Sequence, residues 1–322
     1  MDEVEDIYQF GFSSGWLTNA KYETMLAAPL TPELVPIAEA FKTNMMRSRN
    51  LGALVPEIAY WMRLYARFGD YARYRLGRPI EMPGRVRGAP KLDQELINEI
   101  TKVHAEWLAA RPSDNEVASG QAWEDGGDLI KPFVNSFPDF HGNGIETLMS
   151  ATLLELWAAS EAMLQDLWVT ALNMHPDPLA SNVLGNDKSI SIDMLKRFSY
   201  DVSGKMGTIM LISQKVDMNS SNGIRSAYKT AFSDQNPDEI FERYHPHIYH
   251  LEAVRNLFAH RSGLIDEKFI KRTKNSTILP SPLAGERLKL NGKIVSTYAD
   301  CCVSCAADIF VFVDRWIYGQ SN

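Results

Sequence analysis

The chain is poor in cysteine: it has 322 residues and three cysteines, all within Cys301–Cys305. Secreted domains that depend on disulfides carry many more cysteines, spread along the sequence. Three clustered thiols cannot form such a framework, so we predict a reducing, cytoplasmic location. The first residues, Met-Asp-Glu-Val-Glu-Asp, are acidic and do not resemble the basic start of a signal peptide.

The sequence also has no uninterrupted apolar run long enough to span a bilayer. We therefore predict that the protein does not associate with a membrane. Hydrophobic residues make up 45% of the chain and charged residues 23%, which is typical of a soluble globular protein with one large or two ordinary domains. The net charge of −7 at pH 7 argues against a protein that coats nucleic acid indiscriminately, although it permits a local basic surface.

The usual signatures of nucleotide, hydride and hydrolase chemistry are missing as well. The sequence has no P-loop, no glycine-rich dinucleotide fingerprint and no nucleophile elbow. His247 and His250 could share a metal on one helix face, but Pro246 interrupts the run and no H-E-x-x-H spacing is present. The cysteines lie in an apolar stretch, where a free cysteine is usually a small core residue. We therefore predict neither a metal nor a cofactor.

Apolar residues recur at helical spacing through most of the chain, which predicts a mainly α fold. Thr31-Pro32 resembles a helix start, with threonine as the N-cap and proline in the first helical position. The remaining predicted helices cover about 51–74, 92–110, 145–174, 192–200, 205–217, 224–233, 238–244, 251–261 and 297–318. Residues 175–190 are predicted to form a loop.

The order of these segments predicts three parts. Residues 1–110 form an N-terminal helical region of unknown role, and 145–322 form a second helical domain. Between them, 111–144 act as linker and loop, because the composition from 111 to 128 shifts to Pro, Ser, Asp, Asn, Gly and Glu. Asn291-Gly292 suits a type I′ turn and predicts a small β-hairpin over 288–295.

The N-terminal region holds an unusual basic and aromatic segment. Between Arg47 and Lys91 we count ten basic residues against three acidic ones, with six aromatic residues interleaved from Tyr60 to Tyr74. Arginines for phosphates and aromatic faces for bases are combined in proteins that bind single-stranded nucleic acid, so Arg63 and Arg67 are candidate RNA ligands. The alternative is that the aromatic residues form a core and the arginines are its solvated or salt-bridged rim.

Strongly polar side chains crowd onto the short helix predicted at 251–261. Its buried stripe consists of Leu251, Val254, Leu257 and Phe258. At about 100° per residue, Asn256 and His260 share the opposite face, and Arg255 lies on its flank. Gly263 follows where a C′ glycine is expected to end the helix.

These residues carry a family resemblance. Arg255-Asn256-x-x-x-His260 is an R-x4-H motif that, with the residues through Asp266, resembles the motif of HEPN (higher eukaryotes and prokaryotes nucleotide-binding) domains. The helix over 153–167 is similar to the first long helix of that family, and the hairpin and helix over 286–318 fit its end. The resemblance covers about 145–318. It implies an all-helical bundle that acts as a metal-independent ribonuclease, with a composite site at a homodimer interface.

The residue types at this site suit metal-free RNA cleavage. The imidazole of His260 can accept or donate a proton near neutral pH, and Arg255 can hold phosphate oxygens through two hydrogen bonds. Asn256 can donate to a non-bridging oxygen or hold the histidine ring. One histidine covers only one of two proton transfers, so a symmetric dimer is expected. Supporting residues are predicted at two further sets of positions: the acidic Glu161 and Asp166, which could orient Arg255, and the phosphate-binding Arg261, Lys268, Lys271 and Arg272.

The leading hypothesis is an endoribonuclease of the toxin or defence type, with RNA as substrate and an antitoxin or regulatory protein as a possible partner. The alternative is a non-catalytic module for dimerisation and for binding RNA or protein. In that case Arg255 and His260 would belong to a buried polar network, or Arg255 would pair with Glu161, and either contact would stabilise the bundle.

Overall fold

The computed structural model describes residues 29–80, 93–110, 125–132, 142–185 and 189–321, and these residues are mainly helical, as predicted. A 3-10 turn at Pro32–Leu34 precedes the first helix, and 125–132 are also helical. The other helices are α1 (Val35–Arg75), α2 (Gln94–Ala110), α3 (Asn143–Met174), α4 (Pro176–Leu184), α5 (Ile192–Arg197), α6 (Met206–Ile212), α7 (Ser221–Ala231), α8 (Asp238–Arg261), α9 (Glu267–Thr273) and α10 (Gly292–Ser321). Residues 1–28 of the predicted N-terminal helical region lie outside the described residues.

Helix α3 is the centre of the main core. It packs against α1, α6, α8 and α10, and its apolar side chains are buried on several faces. Two of the largest buried side chains also satisfy their polar atoms. The Trp168 indole N–H donates to the Ala227 carbonyl at 3.2 Å, and the Tyr228 hydroxyl donates to the Leu164 carbonyl at 2.6 Å. These bonds hold α7 against α3 and satisfy these two buried donors.

Helix α10 is apolar along most of its length. By length and composition, Gly292–Gln320 is the one helix of the described residues that could cross a membrane, which the sequence pattern did not predict. Within its most apolar window, 72% is buried inside the protein. The core helix of a globular protein passes the same test, and α10 packs on α3 and α8 as a core helix does.

Helix α1 is a single continuous helix of 41 residues, so the two helices predicted before and after Leu51 are joined. Pro56 lies inside it and is buried. The helical segment 125–132 approaches that point closely, because a Cβ on Gly126 would lie 1.9 Å from the Pro56 carbonyl oxygen. Leu34 of the 3-10 turn, Ala38 and other residues of the first half of α1 join the main core, so the predicted N-terminal region and helical domain share one core.

The second half of α1 forms its own small cluster with α2. Phe68 and Ala72 pack against Leu96 and Val103, as the predicted periodicity of 92–110 requires. Trp107 extends this cluster toward the aromatic residues of α1. The helix predicted at 92–110 is therefore confirmed.

Two predicted segments differ in the structure. The loop predicted at 175–190 contains α4, which begins at Pro176 because proline is well suited to the first position of a helix. The hairpin predicted over 288–295 is wrong. Asn291 and Gly292 do not form a turn between strands, since the Asn291 side-chain oxygen accepts from the Ile294 N–H at 2.9 Å and caps the start of α10.

The helix start predicted at Thr31 is confirmed, but its N-terminal donors are satisfied by a distant residue. The Thr31 side chain makes no capping bond. The buried Asp314 carboxylate on α10 accepts from the Leu30 N–H and from the Thr31 N–H, both at 2.8 Å. A buried carboxylate thus ties the first described residues to the last helix.

Candidate functional site

The candidate motif lies on the last turns of α8, which continues through the exposed Pro246 instead of beginning after it. Leu251, Val254 and Leu257 are buried as predicted. The helix ends where Ser262 and Gly263 both take positive φ, 51° and 82°, and the Gly263 N–H bonds the Leu257 carbonyl at 3.3 Å. This geometry fits the predicted glycine stop, shared with the preceding serine.

Asn256 and His260 line one open cavity of about 150 Å³ between the end of α8 and α9. Arg261 and Lys268 line it too, so one histidine, one amide and several cations converge there. His260 is exposed, and among the described residues no hydrogen bond holds its ring. Asp266 at the cavity wall accepts from Arg261 at 3.0 Å and caps α9 through the Phe269 N–H at 2.8 Å.

Arg255 does not line this cavity. His260 follows it by five positions, which places the two side chains about 140° apart around the helix. The half-buried guanidinium donates to the Asn256 side-chain oxygen at 2.8 Å. That bond leaves the Asn256 amide N–H groups free to face the cavity.

The two acidic residues predicted to support Arg255 differ in position. Burial raises the pKa of Glu161, and the positive charge of Arg255 opposes that rise, so Glu161 lies within the field of the arginine. No ion pair within 4.0 Å joins them among the described residues. Asp166 is exposed, and desolvation alone raises its pKa. The structure therefore brings Glu161, and not Asp166, toward the motif.

Arg272, predicted to bind phosphate, lines the cavity of His260 and also has a structural role. Its guanidinium pairs with the buried Glu252 carboxylate at 3.1 Å and lies 4.3 Å from the centre of the Tyr249 ring. Glu252 also accepts from the Ser221 N–H at 2.9 Å, at the start of α7. Arg272 thus joins α9 to α8 and, through Glu252, to α7. This network was not predicted from the sequence. The signal that could have indicated it is Glu252, an acidic residue among apolar neighbours that are expected to be buried.

The remaining predicted cations are dispersed. Lys268 lines the cavity and has no carboxylate within ion-pair distance in the described part of the chain, whereas Lys271 is exposed outside the cavity. Arg63 and Arg67 are exposed on α1, which packs on α2 and α3, and they do not line the cavity either. The structure therefore does not join the basic segment of α1 to the His260 cavity.

Part of the basic and aromatic segment of α1 forms a core with a salt-bridged rim, and part of it is exposed, as a surface for nucleic acid would be. Phe68 is buried against α2, and Arg75 forms ion pairs with Glu99 at 3.2 Å and Glu106 at 2.6 Å, which matches an aromatic core with a salt-bridged rim. Tyr74 is 72% exposed. The lysine and arginines over 81–92 lie outside the described residues.

The histidine and cysteine clusters do not assemble a metal site in the described residues, where no group of three His, Cys, Asp or Glu side chains is placed to hold one. His250 is buried, and burial lowers its pKa. Cys302 and Cys305 have the C-x-x-C spacing found in zinc sites, yet both are buried in α10. Burial raises the pKa of Cys302 to about 12, which disfavours the thiolate that zinc requires.

Comparisons with known protein families, with characterised proteins and with solved structures find no match to this chain.

Proposed function

We propose that the protein is a HEPN-like, metal-independent endoribonuclease that acts as a homodimer in the cytoplasm. The observation that supports this most is the shared cavity of Asn256 and His260, which also holds Lys268, a cation that no carboxylate of the described residues pairs with. A proton-transfer group, an amide donor and a positive charge are the components that phosphodiester cleavage requires. The resemblance of the motif to HEPN domains makes RNA the proposed substrate.

In the proposed reaction, His260 removes the proton from a 2′-hydroxyl, and the resulting oxygen attacks the adjacent phosphorus. Asn256 and Arg255 donate hydrogen bonds to the non-bridging oxygens, where negative charge develops. The bond to the 5′-oxygen breaks, and that oxygen takes a proton from His260 of the partner subunit. The products are a 2′,3′-cyclic phosphate and a 5′-hydroxyl. This scheme balances both proton transfers with one histidine from each copy.

A dimer would also explain how Arg255 can act on the substrate although it lies outside the cavity of its own chain. Within one chain the guanidinium lies outside the cavity, about 140° around the helix from His260. A second copy that approaches the exposed end of α8 could bring its own Arg255 to the cavity, beside the cations that already line it. A toxin or defence enzyme of this kind would need restraint, and we include an antitoxin or regulatory protein among its proposed partners.

One observation favours a non-catalytic binding module instead. Arg255 already donates to Asn256 and lies in the field of Glu161, as a residue that stabilises the bundle would. In that case the same helix ends would serve dimerisation and the binding of RNA or protein, without cleavage.

RNA cleavage by purified wild-type protein and by His260→Ala, with chelator present, tests the proposal. Since His260 is exposed, the variant should fold normally. We expect loss of at least about 100-fold in rate, the usual contribution of a general acid or base. Lys196→Ala, a change at an exposed residue of α5, serves as the matched control and should cleave like the wild type. Equal cleavage by His260→Ala would exclude this site, and no cleavage of tRNA, mRNA or single-stranded RNA by the wild type would favour the binding module.

A further inference from the structure

The chain that follows the motif forms a short antiparallel bridge with the segment before α10. Leu264 lies opposite Arg287. The Ile265 N–H donates to the Glu286 carbonyl at 2.8 Å, and the Leu288 N–H donates to the Gly263 carbonyl at 2.9 Å. One edge of 286–288 is therefore already paired, to the residues directly after α8.

The opposite edge of this segment is open. Arg287 and Lys289 are exposed, whereas Leu288 and Leu290 are each 1% exposed, which is the alternation of an extended strand. Because successive peptide groups of a strand point to opposite edges, those of Arg287 and Lys289 point away from the bridge. Among the described residues they have no hydrogen-bond partner. They face a cavity of about 1040 Å³ whose other wall is 277–282.

The charges around this open edge are predominantly positive. Arg287, Lys289 and Lys293 line the cavity, and no carboxylate in the described part of the chain lies within ion-pair distance of them. The cavity also holds Glu286 at its rim. Burial raises the pKa of nearby Glu146, while Arg287 and Lys289 oppose that rise, so these cations already act on one neighbouring carboxylate without pairing with it.

The shape and lining of the cavity favour a peptide over a nucleic acid. Its floor is aliphatic, with Leu279, Leu288 and Ile294 almost fully buried. Among the residues that the structure describes, no aromatic side chain lines it, so this part of the chain provides no stacking platform of the kind that single-stranded nucleic acid binders use. An unpaired strand edge with alternating side-chain positions is instead the feature to which an extended peptide adds as a further strand.

We propose that the open edge at Arg287–Lys289 binds an extended acidic peptide segment of a partner protein by strand addition. The backbone of the peptide pairs with the free peptide groups of Arg287 and Lys289. Its acidic side chains, two residues apart, lie beside the two cations, where opposite charges on neighbouring strands attract. Its intervening aliphatic side chains contact the floor of the cavity. This binding site is separate from the His260 cavity and does not depend on the proposed ribonuclease activity.

The test uses the full chain and a fluorescein-labelled peptide, Thr-Val-Asp-Val-Glu-Val-Thr, with binding followed by fluorescence anisotropy. A peptide with both acidic residues replaced by lysine serves as the reference. We expect saturable binding of the acidic peptide, at least tenfold tighter than that of the reference. Arg287→Glu combined with Lys289→Glu should weaken it at least tenfold. Lys196→Glu with Arg197→Glu on α5 should leave it unchanged.

Two further variants separate strand addition from simple charge attraction. Lys289→Pro removes an N–H that the fold does not use, and Lys289→Ala removes only the side chain. We expect the proline variant to bind at least about fivefold more weakly than the alanine variant, with an unchanged circular dichroism spectrum. Glu146→Gln should tighten binding, because it removes a competing carboxylate.

Several results would overturn the proposal. One is the absence of saturable binding up to millimolar peptide, and another is equal affinity of the proline and alanine variants. A third is binding of a 2′-O-methyl oligoribonucleotide, but not of the peptide, with the same dependence on Arg287 and Lys289, since the surface would then be one for nucleic acid.

Discussion

The carboxylate of Asp314 offers a sharp test of how the two ends of the described chain are held together. It is 6% exposed and accepts hydrogen bonds from the Leu30 and Thr31 N–H groups, each at 2.8 Å. A hydrogen bond to a charged group contributes about 1.5–3 kcal/mol to stability. Because Leu30 is half-exposed and water can replace its bond, we expect Asp314→Ala to lower the free energy of unfolding by about 2–4 kcal/mol.

The assay is urea denaturation followed by circular dichroism. Asp314→Asn should cost roughly half as much as the alanine change, since one amide oxygen can still accept from one backbone N–H. Asp300→Ala, at an exposed position of the same helix, is the matched control and should change stability by less than about 0.5 kcal/mol. A loss below about 0.5 kcal/mol for Asp314→Ala would refute the reasoning, because the buried Thr31 N–H would then have no need of the carboxylate.

Three further changes test the region around the candidate site and its neighbours. Gly263→Ala should cost about 1–2 kcal/mol in urea denaturation, because its φ is 82° and a Cβ would meet a phenylalanine ring carbon at 2.9 Å. Arg272→Ala should cost about 3 kcal/mol in the same assay, since it leaves the buried Glu252 carboxylate without its cation. Arg225 and a lysine lower the pKa of Asp238 in the folded protein. The ionised Asp238 therefore contributes its whole stabilisation at pH values above the usual pKa of aspartate. That stabilisation is lost as the pH falls toward the lower pKa of Asp238 in the folded protein. The difference in unfolding free energy between wild type and Asp238→Asn should shrink between pH 5 and pH 2, and a difference independent of pH would contradict this.

Much of the helical framework could be predicted because its signals are local. The stripe of α3 and the periodic Leu96 and Val103 of α2 specify which face is buried before any tertiary contact is known. Predictions from proline and asparagine were wrong where the same local pattern is compatible with two different structures. Asn291-Gly292 suits a type I′ turn, but Asn291 also suits a helix cap, and the apolar residues that follow at helical spacing favour α10.

The candidate site could be predicted only where it is built from one helix. The pairing of Asn256 and His260 on one face follows from their spacing of four residues. The role of Arg272 could not be predicted, because its partner Glu252 lies on another helix and is selected by packing. The open edge at Arg287 was hidden by the same error that placed a hairpin over 288–295, since a hairpin would pair that edge within the chain.

The most direct test of the proposed ribonuclease is cleavage of a defined oligoribonucleotide, in chelator, beside the same oligonucleotide with a single 2′-deoxy substitution at the cleaved position. The proposed mechanism predicts that wild-type protein cleaves the all-ribose strand to a 2′,3′-cyclic phosphate and a 5′-hydroxyl, and leaves the substituted bond intact. It also predicts that His260→Ala cleaves neither strand. Cleavage of the substituted bond, or cleavage that needs added metal, would contradict an attack by the 2′-hydroxyl assisted by His260.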